Sequence, residues 1–275
     1  MAYGPGPAGT VSPGFGGTTG ADTITLKPAD ANGTLDVKSG TTDLANFKPI
    51  GHIIVYGQAA DDTIKLQTAS INGATVYVST PAFLFGDGGN DTLNTAGSTA
   101  NNVLEGGAGN DTLQAGSSRD LLVGGTGADV LHSDGGNDIL IGGTGDDVLI
   151  GGSGRDLLIG GTGNDLILGG TGQDIVIAGK TNYDHSDLAL RSLLSEWASG
   201  DSFTVRVSNL QGLTHTGADL NGAYYLNTST VQDDHSVDVL VGGSGRDWFF
   251  ADSTGQTGPR DVVLDLHVGD IVTNV

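Results

Sequence analysis

From Gly97 to Ile177 the chain alternates six polar, glycine-rich residues with three mostly apolar ones, nine times in succession without a gap. The eighth position of each nine is aliphatic: Leu104, Leu113, Leu122, Leu131, Leu140, Leu149, Leu158, Ile167 and Val176. A three-residue strand has no stability alone, so this period predicts short strands joined by tight turns and stacked into a solenoid. The middle residue of each strand points inward and its two neighbours outward.

The same theme surrounds this block at longer intervals. The segments "GADTITL", "AADDTIKL" and "GNDTLN" each place a turn and an Asp before a β-prone run. The runs "HIIVYG" (from His52), "ATVYV" (from Ala74) and "AFLFG" (from Ala82) read as further strands. The expected organisation is a Gly/Pro-rich arm over 1–20, wider parallel β-helix coils over 21–96, and the narrow repeat over 97–177. An insert follows over 178–232, then a resumed roll and C-terminal cap over 233–275. Within the insert, Leu190, Leu193, Leu194 and Trp197 share one helical face behind Ser186 as N-cap. "SFTVRVS" (from Ser202) alternates like a half-buried strand. Trp248, Phe249 and Phe250 read as packing that plugs the open end of the roll.

Composition sharpens the picture. The chain has 275 residues, 48 Gly, no Cys and a formal charge of −21. Of its 32 acidic residues only Glu105 and Glu196 are Glu, and Asp is the acid that fits tight turns. This balance disfavours nucleic acid and anionic membranes and favours cations. No apolar run reaches membrane-spanning length, so no membrane insertion is expected. The N-terminal stretch lacks the basic and apolar regions of a secretory signal.

An acid recurs at position six: Asp111, Asp120, Asp129, Asp138, Asp147, Asp156, Asp165 and Asp174, with Asn102 in the first repeat. Stacked coils lie about 4.8 Å apart, so alternate acids form like-charged ladders. One neighbouring pair repels by on the order of 3 kcal/mol at an effective dielectric near 20. Glycine permits the positive φ of successive tight turns and lets carbonyl oxygens converge, as hard cations require.

The phrase, as in "GGTGDDVLI" and "GGTGNDLIL", resembles the calcium-binding nonapeptide of RTX (repeats-in-toxin) proteins. The resemblance covers about a third of the chain and implies a right-handed parallel β-roll with two repeats per coil. The fold class it implies is all-β, a right-handed parallel β-solenoid with a short helical insert. The family's ligand pattern implies that carbonyls of Gly107 and Gly109 and the carboxylate of Asp111 meet carbonyls of Gly124 and Thr126 and the carboxylate of Asp129. Carried along both edges, the pattern takes in Asp120, Gly135, Asp138, Gly143, Gly145, Asp147, Gly152, Gly154 and Asp156. It continues through Gly161, Gly163, Asp165, Gly170, Gly172 and Asp174, with Asp91 before the block and Asp238 and Asp247 after it. The implied complement is roughly six to eight Ca²⁺ ions. Asn102, and the loss of two glycines in "AGSSRD" (from Ala115), mark turns expected to bind weakly or not at all.

Competing chemistry finds less support. "AGKT" (Ala178 to Thr181) resembles the end of a phosphate loop, but Asp174 stands where its first Gly belongs. The two "DHS" triplets at Asp184 and Asp234 read as polar residues where the roll breaks and resumes. H-E-x-x-H and G-x-S-x-G are both absent, so no RTX protease or lipase domain is recognised. Polysaccharide processing by scattered Asp stays open, as does carbohydrate binding.

The expected function is a non-catalytic, extracellular calcium-binding roll with a structural or adhesive role, folding after secretion. A homo-oligomer or fibre is an expected form of it. The alternative is an accessory folding and secretion module of a larger RTX enzyme or toxin. RTX resemblance implies type I secretion, with "DVVLDLHVGDIVTNV" compatible as a C-terminal signal. One sheet should also expose Leu121, Val123, Ile139, Ile141, Leu157, Ile159, Ile175 and Ile177 at positions seven and nine. The amphipathic helix, or a second copy of the chain, is the expected cover.

Overall fold

The computed structural model describes residues 14–49, 51–213, 220–254 and 259–275. The N-terminal arm lies largely outside them. The chain divides into two compact units, Met1–Asp134 and Gly135–Val275.

In the N-terminal unit, sheet I stacks Gly14–Gly16, Ile53–Ala59, Ala82–Gly88, Val103–Ala108 and Leu121–Thr126 in parallel. Sheet II stacks Thr23–Pro28, Thr63–Leu66, Thr92–Asn94, Thr112–Gln114 and Val130–His132, also in parallel. Leu84, Leu93, Leu104, Leu113, Leu122 and Leu131 are fully buried between them.

The expectation of parallel coils across 21–96 fails in two places. Leu35–Ser39 runs antiparallel to Thr23–Pro28, and Thr42–Phe47 antiparallel to Leu35–Ser39, as a meander. Local turns dictate this: Asp30 Oδ1 accepts the N–H groups of Asn32 (2.8 Å) and Thr34 (3.0 Å), and Gly33 takes φ +84°. The run from Ala74 also pairs antiparallel, with Ala69–Ile71, through Asn72 (φ +52°) and Gly73 (φ +81°). Asn-Gly is the preferred pair for a two-residue hairpin turn with positive φ at both residues.

In the C-terminal unit, sheet III stacks Ile139–Thr144, Leu157–Thr162, Ile175–Ile177, Trp248–Ala251 and Ile271–Asn274. Sheet IV stacks Val148–Gly154, Leu166–Gly172, Val239–Gly245 and Val262–Leu264. Ile139 pairs with Leu157 and Val148 with Leu166, a step of 18 residues, so two repeats make one coil. Ile175 then pairs with Trp248 and Leu166 with Val239, a step of 73. The difference, 55 residues, equals the length of 178–232, so that segment leaves the roll and returns in register. Strands also run longer than three residues. Leu157–Thr162 continues through Gly160 and Gly161, because a glycine pair with neighbours on the adjoining coil still completes the backbone ladder.

The insert holds helices α1 (Asp187–Trp197) and α2 (Phe203–Leu210). Ser186 caps α1 by accepting the Ala189 N–H, as the sequence implies. The run from Ser202 is α2, not a strand. Phe203, Arg206, Val207 and Leu210 are buried at helical spacing, and Arg206 lies 4.5 Å over the Trp197 ring, so tertiary packing overrides β propensity.

Helix α1 packs on the strand Ile139–Thr144, and Leu190, Leu193, Leu194 and Trp197 are buried. Beneath this cover Ile139, Ile141, Leu157, Ile159, Ile175 and Ile177 are all 4% exposed or less. In the N-terminal unit Leu121 is buried and Val123 half-buried. Trp248, Phe249 and Phe250 are fully buried in a strand that a further strand, Ile271–Asn274, covers. They pack as expected, but inside the stack and not as its plug.

Candidate metal centre

The position-six residues stand in ladders along the edges of the coils. Asp91 N–H donates to Asp111 Oδ1 at 2.7 Å, and Asp111 N–H to Asp129 Oδ1 at 2.7 Å. In the C-terminal unit one ladder joins Asp138, Asp156, Asp174 and Asp247 by the same bond at 2.8–2.9 Å. The other joins Asp147, Asp165 and Asp238 at 2.7–2.8 Å. Each of these carboxylates is 2% exposed or less.

One oxygen of Asp111, Asp129, Asp156, Asp165, Asp174, Asp238 and Asp247 is thereby satisfied, and that of Asp91 accepts the Asp62 N–H. The other is the chemistry of the site. Oδ2 of Asp91, Asp111, Asp156, Asp165, Asp174, Asp238 and Asp247 is buried and accepts no hydrogen bond among the described residues. A buried, half-satisfied carboxylate resists ionisation. Burial pushes Asp156 up to about 9, Asp165 to about 8, and Asp174 and Asp238 to about 7, with neighbouring Asp charges adding to the rise. Asp91, Asp111 and Asp247 rise to about 6 from the same cause.

The glycines shape the space that Oδ2 faces. A Cβ on Gly106 would lie 2.3 Å from Asp111 Oδ2 and 2.7 Å from the Gly124 carbonyl oxygen of the next coil. On Gly160 it would lie 2.4 Å from both Asp165 Oδ2 and the Ala178 carbonyl, and on Gly169 it would lie 2.7 Å from both Asp174 Oδ2 and the Gly242 carbonyl. Two oxygens thus converge where any other residue would put carbon. Among the described residues no three acidic or imidazole side chains meet at one point. A cation held in these cradles would therefore draw most of its oxygens from backbone carbonyls, which would suit Ca²⁺ with its six to eight oxygen ligands.

Positions two and four need glycine for another reason. Gly107, Gly109, Gly125 and Gly127 have φ between +113° and +127°, and the Gly107 and Gly109 carbonyls point along the stack at Gly125 and Gly127. The carbonyls of Gly143, Gly145, Gly152 and Gly154 face Gly161, Gly163, Gly170 and Gly172 in the same way. The Thr126 carbonyl accepts the Gly109 N–H at 2.8 Å. Gly135 occupies position three and pairs with Ser153, while its neighbour Gly136 presents the carbonyl to Gly154.

The degenerate turns behave differently from each other. Asn102 is saturated: Oδ1 accepts the Ala82 N–H at 3.1 Å, and Nδ2 donates to the Ala100 carbonyl at 2.7 Å. Asp120 keeps its place in the ladder and accepts the Asn102 N–H at 2.6 Å. The ladders also extend past the residues singled out from sequence. Asp62 accepts the Asp22 N–H, Asp261 that of Asp238, and Asp270 that of Asp247. A second ladder uses position five, where Asn110, Asn137, Asp146 and Asn164 each accept an N–H from the next coil. An Asp before each β-prone run marked the first set, and an Asn or Asp at position five marked the second.

The remaining motifs sit in local pairings. Lys180–Thr181 of "AGKT" is a two-residue strand paired with Val231–Gln232. Asp184 is tied to Thr181, and His235 to Asp233.

A model of the RTX calcium-binding nonapeptide repeat, four copies long, matches residues 83–97, 96–131, 114–149, 132–167, 150–182 and 236–253. No curated protein sequence matches the chain. RTX nonapeptide repeats bind Ca²⁺, and the matched residues include the cradles at Gly86, Gly106, Gly151, Gly160 and Gly169. Across residues 83–182 and 236–253 this chain is made of RTX calcium-binding nonapeptide repeats, folded as a parallel β-roll.

Proposed function

We propose that the chain is a non-catalytic scaffold that works outside the cell and folds there around several calcium ions. One observation carries this reading: buried Asp Oδ2 atoms that accept no hydrogen bond among the described residues, of which those of Asp91, Asp111, Asp156, Asp165 and Asp174 face a carbonyl across a Cβ-free cradle. In this reading Asp91, Asp111, Asp156, Asp165, Asp174, Asp238 and Asp247 are ligands, with carbonyls such as those of Gly124, Ala178 and Gly242. Roughly six to eight ions would occupy the turns. RTX repeat proteins are typically secreted, and among the described residues no helix is long and apolar enough to cross a membrane.

The role is structural or adhesive, and self-association belongs to it. Val262, Leu264, Leu266, Val268 and Val272 are exposed beside the terminal strands Val262–Leu264 and Ile271–Asn274, each of which has one described partner. Unpaired strand edges with apolar flanks template further pairing.

Circular dichroism and sizing at about 10⁻⁷ M and about 10⁻³ M free calcium test the reading. Parallel β structure at the higher concentration alone supports it. The same folded spectrum at both would overturn it.

A further inference from the structure

An open groove of about 820 Å³ lies in the N-terminal unit, away from the cradles. Its floor is the antiparallel meander, where Lys27 pairs with Asp36 and Asp36 with Asn46 across the strands. Its wall is the segment Gln67–Ile71.

The groups that meet here are mixed in kind and balanced in charge. Asp36 has Lys27 Nζ at 3.7 Å and Lys38 Nζ at 3.9 Å, and Lys38 also holds Asp43. Two lysines and two aspartates cancel, so the groove favours neither polyanions nor polycations. Asn46, Gln67, Thr68 and Ser70 line it with side chains that have no hydrogen-bond partner among the described residues. Each amide and hydroxyl there can both donate and accept. Leu44, 48% exposed, and Ile71 add short apolar surface.

We infer that this groove binds a neutral oligosaccharide. Vicinal sugar hydroxyls are donors and acceptors at once, which a fixed carboxylate beside free amides and hydroxyls matches. The C–H face of a pyranose ring suits an isolated Leu or Ile. An open trench admits a chain of rings, whereas most small-molecule sites are concave, mostly apolar and bury the ligand. The site does not depend on the calcium reading, since its strands lie in the meander and its adjoining loop.

The test uses the full chain in saturating calcium, with cellohexaose, maltohexaose and a hexauronate oligosaccharide as probes. The readouts are NMR of the side-chain amides of Asn46 and Gln67, and calorimetry. At least one neutral hexasaccharide is expected to shift both amides. Asp36→Ala combined with Asn46→Ala should weaken its binding at least about tenfold, as loss of a hydrogen bond to a charged group implies. Thr112→Ala, on the same sheet outside the groove, should leave binding unchanged. Asp36→Asn, which keeps shape, should weaken binding while preserving the folded spectrum. No response to either neutral sugar, binding indifferent to the groove variants, or binding of the acidic oligosaccharide alone would each overturn the inference.

Discussion

Replacing Gly170 by Ala isolates what the repeat glycines do. Gly170 has φ +109°, and an added Cβ would lie 2.2 Å from the carbonyl oxygen of Gly152 on the adjacent coil. Holding an L-residue in that backbone region costs about 1–3 kcal/mol. The clash is with backbone, so relief requires parting Leu166–Gly172 from Val148–Gly154. Loss of one or two ladder hydrogen bonds adds about 0.5–1.5 kcal/mol each. The expected loss is on the order of 3–5 kcal/mol. Gly200 is the control, with ordinary φ and nothing within 4 Å of an added Cβ, so Gly200→Ala should stay within about 0.5 kcal/mol. Urea unfolding of the calcium-loaded proteins, followed by far-ultraviolet circular dichroism, measures both. A Gly170→Ala loss below about 1 kcal/mol, or equal effects at both sites, would refute the steric argument.

Asp147→Ala and Asp156→Ala should each weaken calcium binding in calorimetry without abolishing it, because neighbouring turns keep their own oxygens. Asp187→Ala removes only a surface pair with Arg191 and should change nothing; three equal effects would mean that the ladder acids are not ligands. In chelator, stability should fall as pH rises. Asp156, Asp165 and Asp174 have folded pKa values of about 9, 8 and 7, raised first by burial, so their protons favour the folded state at low pH. That contribution is complete below the unfolded value of 3.8 and disappears as pH climbs through about 7 to 9. For Asp165 alone the difference between pH 4 and pH 7 is about 4 kcal/mol, and a β signal in chelator that grows as pH rises would contradict it. Trp197 is fully buried, so in a Trp248→Phe variant its fluorescence should resist acrylamide until calcium is removed; free quenching in the calcium-loaded protein would mean α1 does not cover its sheet.

What could be read in the sequence was what repeats. The period of nine placed Leu140, Leu149, Leu158 and Ile167 in the core and Asp138 to Asp174 at the edges, and both hold. The cover over Ile139 to Ile177 was legible too, since apolar residues on an outward row demand a partner and one amphipathic helix was at hand. Single-occurrence segments were less legible. Phe203 to Leu210 carries β-prone residues, and its helix rests on Arg206 stacking against Trp197, a contact no local pattern announces. The meander at Leu35–Phe47 followed from an Asp30 turn and from Gly40, signals of the kind that alternation alone overrides. Ladder members outside the block were harder to see: Asp62 keeps Gly57 but has Gln58 and Ala60 where the repeat has glycine, and Asp261 lacks the flanking glycines that identify the rest.

Anomalous diffraction from crystals grown in calcium tests the central claim most directly. Peaks are expected about 2.3–2.6 Å from the Oδ2 atoms of Asp111, Asp156, Asp165 and Asp174, each beside its position-one glycine, Gly106, Gly151, Gly160 or Gly169. An ordered roll with no peak in those cradles would contradict the account, because Oδ2 would then be buried by the fold for a reason other than calcium.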